Sequence, residues 1–236
     1  MKSAPNSILV GKYVEKILSA IDGFIAKNLD VLTGKDLANF YDELRRTLKN
    51  DYFGGSWGLE GVTEIMLFRA LYHIGVRKYP ESKPKPVTIT KNLKGFCFPQ
   101  ENIVLSAGRP IKLGGGKRIW PDIIVYKTTD CNETREANVK EMKSIIEIKA
   151  YPQGGKEGIV DTIERLIKLR NLYNNENLKL AYIAYNYIVK NESGSSVLKY
   201  LQREPVEGYE PIPEYIDVIL LSKSNALVKD LLAKYI

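Results

Sequence analysis

Two short apolar segments carry charges where a buried strand has little room for them. They are Trp120-Pro121-Asp122-Ile123-Ile124-Val125-Tyr126 and Ser144-Ile145-Ile146-Glu147-Ile148-Lys149-Ala150-Tyr151. Strand side chains alternate between faces, so Glu147 and Lys149 share one face, about 7 Å apart along the backbone. Such charges are costly in an apolar strand unless they are paired, bound to a metal or set at a cleft. Asp122 opens the first segment, in the chain's one Pro-Asp pair. If the two strands form a hairpin, Asp122 lies beside Glu147, and two adjacent carboxylates repel and raise one pKa. A divalent cation relieves that repulsion. Oxygen donors favour Mg²⁺ or Mn²⁺, with open positions for water and a phosphate oxygen. The cation would polarise a phosphate and help generate hydroxide, while Lys149 would stabilise the developing charge. The plainer alternative is a set of ion-paired carboxylates at a strand end.

Glu-x-Lys alone is a weak signal, because the chain has three: Glu81/Lys83, Glu141/Lys143 and Glu147/Lys149. The first lies among prolines and the second in a charged stretch, so both are read as solvated. Gly114-Gly115-Gly116-Lys117-Arg118 is not a phosphate loop. Ile111 stands where that motif needs its first glycine, and Arg118 where it needs Ser or Thr. A basic hairpin turn is the simpler expectation. The single histidine, His73, excludes two-histidine metal motifs, and it sits in an apolar helical pattern as a satisfied side chain. Two cysteines, Cys97 and Cys131, are too few for a four-cysteine zinc site and are read as free thiols in a reducing compartment.

The elements that must position these residues follow from periodicity. Ile8, Leu9, Tyr13, Ile17, Leu18, Ile21 and Ile25 recur at helical spacing. A second helix is predicted from Gly34 to about Lys49 and a third from Leu59 to Arg77, with the glycine-rich segment Phe53–Gly58 between them. Strands are predicted at Val87–Thr90, Ile103–Ser106, Ile119–Tyr126, Ser144–Tyr151, Leu180–Val189 and Tyr215–Ser222, all rich in Ile, Val and Tyr. Helices are predicted at Lys156–Tyr173 and Ser224–Tyr235. The fold class is therefore α/β, a mixed sheet flanked by helices. Residues 1–55 form an N-terminal helical extension packed on a core of residues 56–236.

The chain has 236 residues, 44% hydrophobic and 27% charged, which excludes a disordered or fibrous protein. Its longest uncharged run, Leu180 to Val189, is too short for the roughly 18 to 20 residues of a membrane span. Met1-Lys2-Ser3-Ala4-Pro5 has no signal-like apolar run behind it before Lys12, so a cytoplasmic protein is expected. The net charge of +7 suits a polyanionic partner.

Pro121-Asp122 followed at the next strand by Glu147-Ile148-Lys149 resembles the signature of the PD-(D/E)XK nuclease superfamily. The resemblance covers roughly residues 56 to 190. It implies a restriction-endonuclease-like core of helix, three meandering strands, helix and strand, the order read from Leu59 to Val189. It also implies that Asp122 and Glu147 are metal ligands, that the backbone carbonyl of Ile148 is a further ligand, and that Lys149 is catalytic. The family often adds a Glu from the first core helix. Glu60 and Glu64 lie one turn apart there, on the face of Leu67, Leu71 and Ile74. Glu64 stands eleven residues before Gly75, a spacing similar to that of archaeal Holliday-junction resolvases, so Glu64 is preferred as the accessory acid and metal ligand. Glu60 has a simpler role as a charge favouring the helix N-terminus. The 25 positions from Asp122 to Glu147 exceed the resolvase spacing, so Lys127–Lys143 is expected to be a hairpin insertion.

The resemblance thus implies a Mg²⁺- or Mn²⁺-dependent nuclease, an endonuclease hydrolysing DNA phosphodiester bonds and acting as a homodimer. The helix spacing tips the substrate toward branched DNA. Arg109, Lys112, Lys117 and Arg118, just before the site strand, are expected to track the DNA backbone, with Gln153 and Lys156 as weaker phosphate contacts. Arg45, Arg46 and Lys49 extend that footprint or form a solvated face. The alternatives are a non-catalytic DNA-binding protein of the same fold, and an α/β module that binds a small ligand or a partner protein.

Overall fold

Isoleucines spaced four apart at Ile17, Ile21 and Ile25 give helix α1 (Ser7–Asn28) one apolar stripe turned inward. The computed structural model describes residues 7–48, 60–90, 93–108, 111–112, 118–131, 141–150, 156–186 and 192–236. Helix α2 (Gly34–Leu48) opens on a reciprocal cap. The Asp36 amide donates to Thr33 Oγ1, and the Thr33 amide donates back to Asp36 Oδ2, each at 3.1 Å. The Thr33 hydroxyl, which donates to Asp36 Oδ2 at 2.6 Å, and then the Thr33 amide hold the Asp36 carboxyl below its usual range. Helix α3 (Glu60–Lys78) buries Met66, Leu67, Ala70, Leu71 and Ile74.

The strands are β1 (Lys85–Thr90), β2 (Leu93–Phe98), β3 (Ile103–Ala107), β4 (Ile111–Lys112), β5 (Arg118–Ile119), β6 (Ile123–Lys127), β7 (Met142–Lys149), β8 (Lys179–Ala184) and β9 (Ile216–Leu220). Seven of them form one mixed sheet in the order β1-β2-β3-β6-β7-β8-β9, and β4 and β5 pair separately. Pairing is antiparallel from β1 to β7, then parallel for β7-β8 and β8-β9. Parallel neighbours need crossovers. Helix α4 (Lys156–Tyr173) supplies the first and helix α5 (Glu192–Leu201) lies in the second. Helix α6 (Val228–Leu232) follows β9.

The chain is a mixed α/β protein with helices on both faces of the sheet. One apolar cluster joins α1, α2, α3 and α6 to Ile123, Val125, Ile146 and Ile148. The other joins α4 and α5 to Ile124, Tyr126, Ile145 and Tyr182. Adjacent residues of β6 and β7 thus serve opposite layers, as a pleated strand requires. Gly75 admits this packing, because a Cβ there would meet the Phe98 ring at 2.5 Å.

Three features depart from expectation. Cys97 and Cys131 are not free thiols but a disulfide, with 5.7 Å between their Cα atoms. Strand β3 separates β2 from β6, and the turn after β6 brings the chain back against β2, a proximity that 34 positions of sequence do not reveal. The thiol count therefore no longer argues for a reducing compartment. The strand predicted as Ile119–Tyr126 is divided into β5 and β6 at Trp120-Pro121-Asp122, since Pro121 has no N–H to give a ladder. Strands β2 and β4 and helix α5 lack a clear periodic signal and went unpredicted. Lys49, Phe53–Gly58 and Leu59, and residues 132–140 of the polar insertion, lie outside the described residues, as does Val189. Among the described residues, no helix is long and apolar enough to cross a membrane.

Candidate active site

Strands β6 and β7 form the predicted hairpin. Ile123 pairs with Ile146 and Ile124 with Ile145, so Asp122 comes opposite Glu147 at the next register position. Both side chains belong to the α4 face, because their neighbours Ile123, Ile146 and Ile148 turn to the other layer. Oδ2 of Asp122 accepts the Ile148 amide at 2.6 Å. Lys149 ends β7, and its carbonyl accepts the Tyr185 amide at 2.9 Å. Amide and carbonyl of one strand residue point to the same neighbour, and those of the next residue point the other way. The Ile148 carbonyl therefore faces the β6 side, where Asp122 sits.

The electrostatics follow from burial. Glu147 is 7% exposed. Desolvation, then the neighbouring Asp122 charge, push its carboxyl up to about 7, against the opposing pull of Lys149 and Arg165. Glu64 adds a smaller upward push. Asp122 is also raised, chiefly by burial, while the Ile148 amide, Lys149 and Arg165 oppose the shift. Two neighbouring carboxyls beside a carbonyl that faces them make an all-oxygen donor set that fits Mg²⁺ or Mn²⁺. Among the described residues, no three His, Cys, Asp or Glu side chains gather as a metal-holding group. Glu64 thus acts on Glu147 through space instead of closing a third corner.

Glu64 nevertheless has a defined seat. It is half-buried one turn into α3, after Thr63, whose carbonyl accepts the buried Tyr185 hydroxyl at 3.0 Å. Tyr185 therefore ties the start of α3 to the end of β7 through its hydroxyl and its amide. Asn186 adds a second tie, donating to Asp42 of α2 at 2.8 Å.

The structure brings Asp122, Glu147, Ile148 and Lys149 together and sets Glu64 within electrostatic reach. Arg109, Lys117 and Gln153 lie outside the described residues, as do the side chains of Lys112, Arg118, Lys156 and Glu60. The backbone of Lys112 pairs with that of Arg118 in the β4–β5 ribbon, and Lys156 begins α4. His73 is satisfied, with Nε2 3.1 Å from Asp22, which Arg69 also grips.

Sequence reasoning missed Arg165. It lies on the exposed side of α4, and its guanidinium donates to Thr162 Oγ1 at 3.0 Å and to the Asp161 carbonyl at 3.3 Å. Among the described residues, it is the one cation besides Lys149 that lowers both carboxyls. Nothing in its spacing marks it, since i,i+3 and i,i+4 contacts are ordinary on any helix. Comparison of the chain with known families, curated proteins and solved structures gives no match.

Proposed function

We propose that this protein is a metal-dependent nuclease that hydrolyses DNA phosphodiester bonds, resembling the PD-(D/E)XK superfamily. The observation that carries the proposal is the placement of Asp122 opposite Glu147 across β6 and β7, with Lys149 ending the same strand. Asp122, Glu147 and the Ile148 carbonyl would hold Mg²⁺ or Mn²⁺. When bound, the ion supplies Lewis-acid polarisation of a phosphoryl oxygen and lowers the pKa of water. Lys149 places a positive charge where charge grows on the phosphate. Arg165 and Lys149 pull both carboxyls down against the upward push of burial. The meander of β3, β6 and β7 followed by α4 and β8 supports the same reading. Endonucleolytic cutting of branched DNA by a homodimer is the specific form we propose.

The test is cleavage of linear duplex, single-stranded and four-way-junction DNA with Mg²⁺, Mn²⁺ or EDTA. Lys149→Ala should lower the rate by about 10²–10³-fold, whereas Glu81→Ala, whose carboxylate is exposed far along the chain, should match wild type. Equal rates for wild type and Lys149→Ala would remove the catalytic assignment. Salt-sensitive binding without cutting would leave a non-catalytic DNA-binding protein.

A further inference from the structure

Trp120 is 61% exposed. Every other aromatic side chain among the described residues is buried or half-buried. An indole presents a large apolar surface, which most folds cover at least in part. This one stands two residues before Asp122, in the short connection between β5 and β6. The next residue, Pro121, is buried and fixes the connection in place. The Asp122 carbonyl accepts the Gly108 amide at 2.7 Å, so the backbone that carries the indole is held next to the paired carboxylates.

The stretch leading to it is strongly basic. Strands β4 and β5 carry Lys112 and Arg118 and no acidic residue. Their antiparallel ribbon, β4 and β5, is anchored to the α4 layer through Ile111 and Ile119. A basic ribbon ending in an exposed indole combines the two features that bind single-stranded nucleic acid: charge for the backbone and a flat ring for a base.

We infer that Trp120 stacks on an unpaired base next to the phosphate that is cut, so that the substrate is DNA with an unstacked nucleotide at the cleavage position. This rests on the nuclease reading and narrows it. In intact duplex the faces of the bases cover one another, and an indole reaches a face only when a nucleotide has left the stack. Single strands, flaps and junction centres meet that condition, and blunt duplex does not.

The experiment measures binding and cleavage separately. The chain has two tryptophans, so Trp57→Phe leaves Trp120 as the sole reporter. In EDTA, single-stranded oligo(dT) should quench its fluorescence, and blunt duplex should quench it far less. By fluorescence polarisation of labelled oligo(dT), in otherwise wild-type protein, Trp120→Ala should weaken binding about tenfold. Trp120→Phe should retain part of the affinity, and duplex affinity should not change. If Trp120→Ala binds and cuts single strands as wild type does, while Lys149→Ala still loses about 10²–10³-fold in rate, the stacking role is overturned and the nuclease stands. If Trp120→Ala lowers single-strand and duplex binding equally, selection for unpaired bases is overturned. If wild type neither binds nor cuts any of these DNAs, with or without metal, the nuclease reading falls and takes this inference with it.

Discussion

The Ile148 amide donates to Oδ2 of Asp122 at 2.6 Å, across the open end of the β6–β7 hairpin. One carboxylate oxygen of Asp122 therefore closes the ladder, and the other remains for chemistry. This separates two substitutions that look alike. Asp122→Asn keeps an acceptor for the amide and removes the charge, so it should fold as stably as wild type and lose cleavage. Asp122→Ala leaves a buried amide unpaired and should cost about 1–3 kcal/mol in addition. Urea unfolding beside a cleavage assay distinguishes them; equal stability for the two variants would show that the hydrogen bond contributes nothing.

Glu147 links stability to pH. Its carboxyl is raised from 4.5 to about 7, so between those values the folded chain binds a proton that the unfolded chain has lost. Stability from this group is full below pH 4.5 and declines as pH rises through 7, by about 3 kcal/mol in all. Asp122, also raised, acts in the same direction. The urea midpoint should therefore fall between pH 5 and pH 8, and Glu147→Gln should flatten the decline. Mg²⁺ should restore stability at pH 8 and have little effect at pH 5, where the Glu147 carboxyl holds its proton. A Mg²⁺ effect of equal size at both pH values would contradict ligation by this pair.

Arg165 pulls both carboxyls down. Arg165→Ala should move the rising limb of the cleavage–pH profile to higher pH, and Arg165→Lys should move it less. The residue is exposed, so stability should change by no more than about 0.5 kcal/mol. A lower rate with an unmoved profile would assign Arg165 to substrate binding instead.

The disulfide between Cys97 and Cys131 closes a loop across 34 positions. Cys131→Ser should lower stability by about 2–4 kcal/mol, and a reductant should do the same to wild type. Because the bond ties β2 to the segment after β6, and not to the carboxylate end, cleavage at low temperature should persist. A reductant that leaves the urea midpoint unchanged would show that the crosslink does not constrain the unfolded chain.

Local pattern alone determined much of this protein. Helix α4 runs from Lys156 to Tyr173 as its periodicity predicts, because its apolar stripe must face the sheet whatever else the chain does. Glu147 and Lys149 share a face because strands alternate. The pairing of Asp122 with Glu147 was legible as well, since both sit at the ends of apolar segments that can bury themselves only side by side. Tertiary structure alone decided the contacts made between layers. Arg165 acts on the carboxylates through space because α4 packs on the face of the sheet that carries them. Tyr185 reaches Thr63 because β8 ends beneath α3. Cys97 meets Cys131 because the chain folds back past β3. Spacing in sequence records the repeat of one element. It carries no record of the distance between elements, which is set when their apolar faces pack.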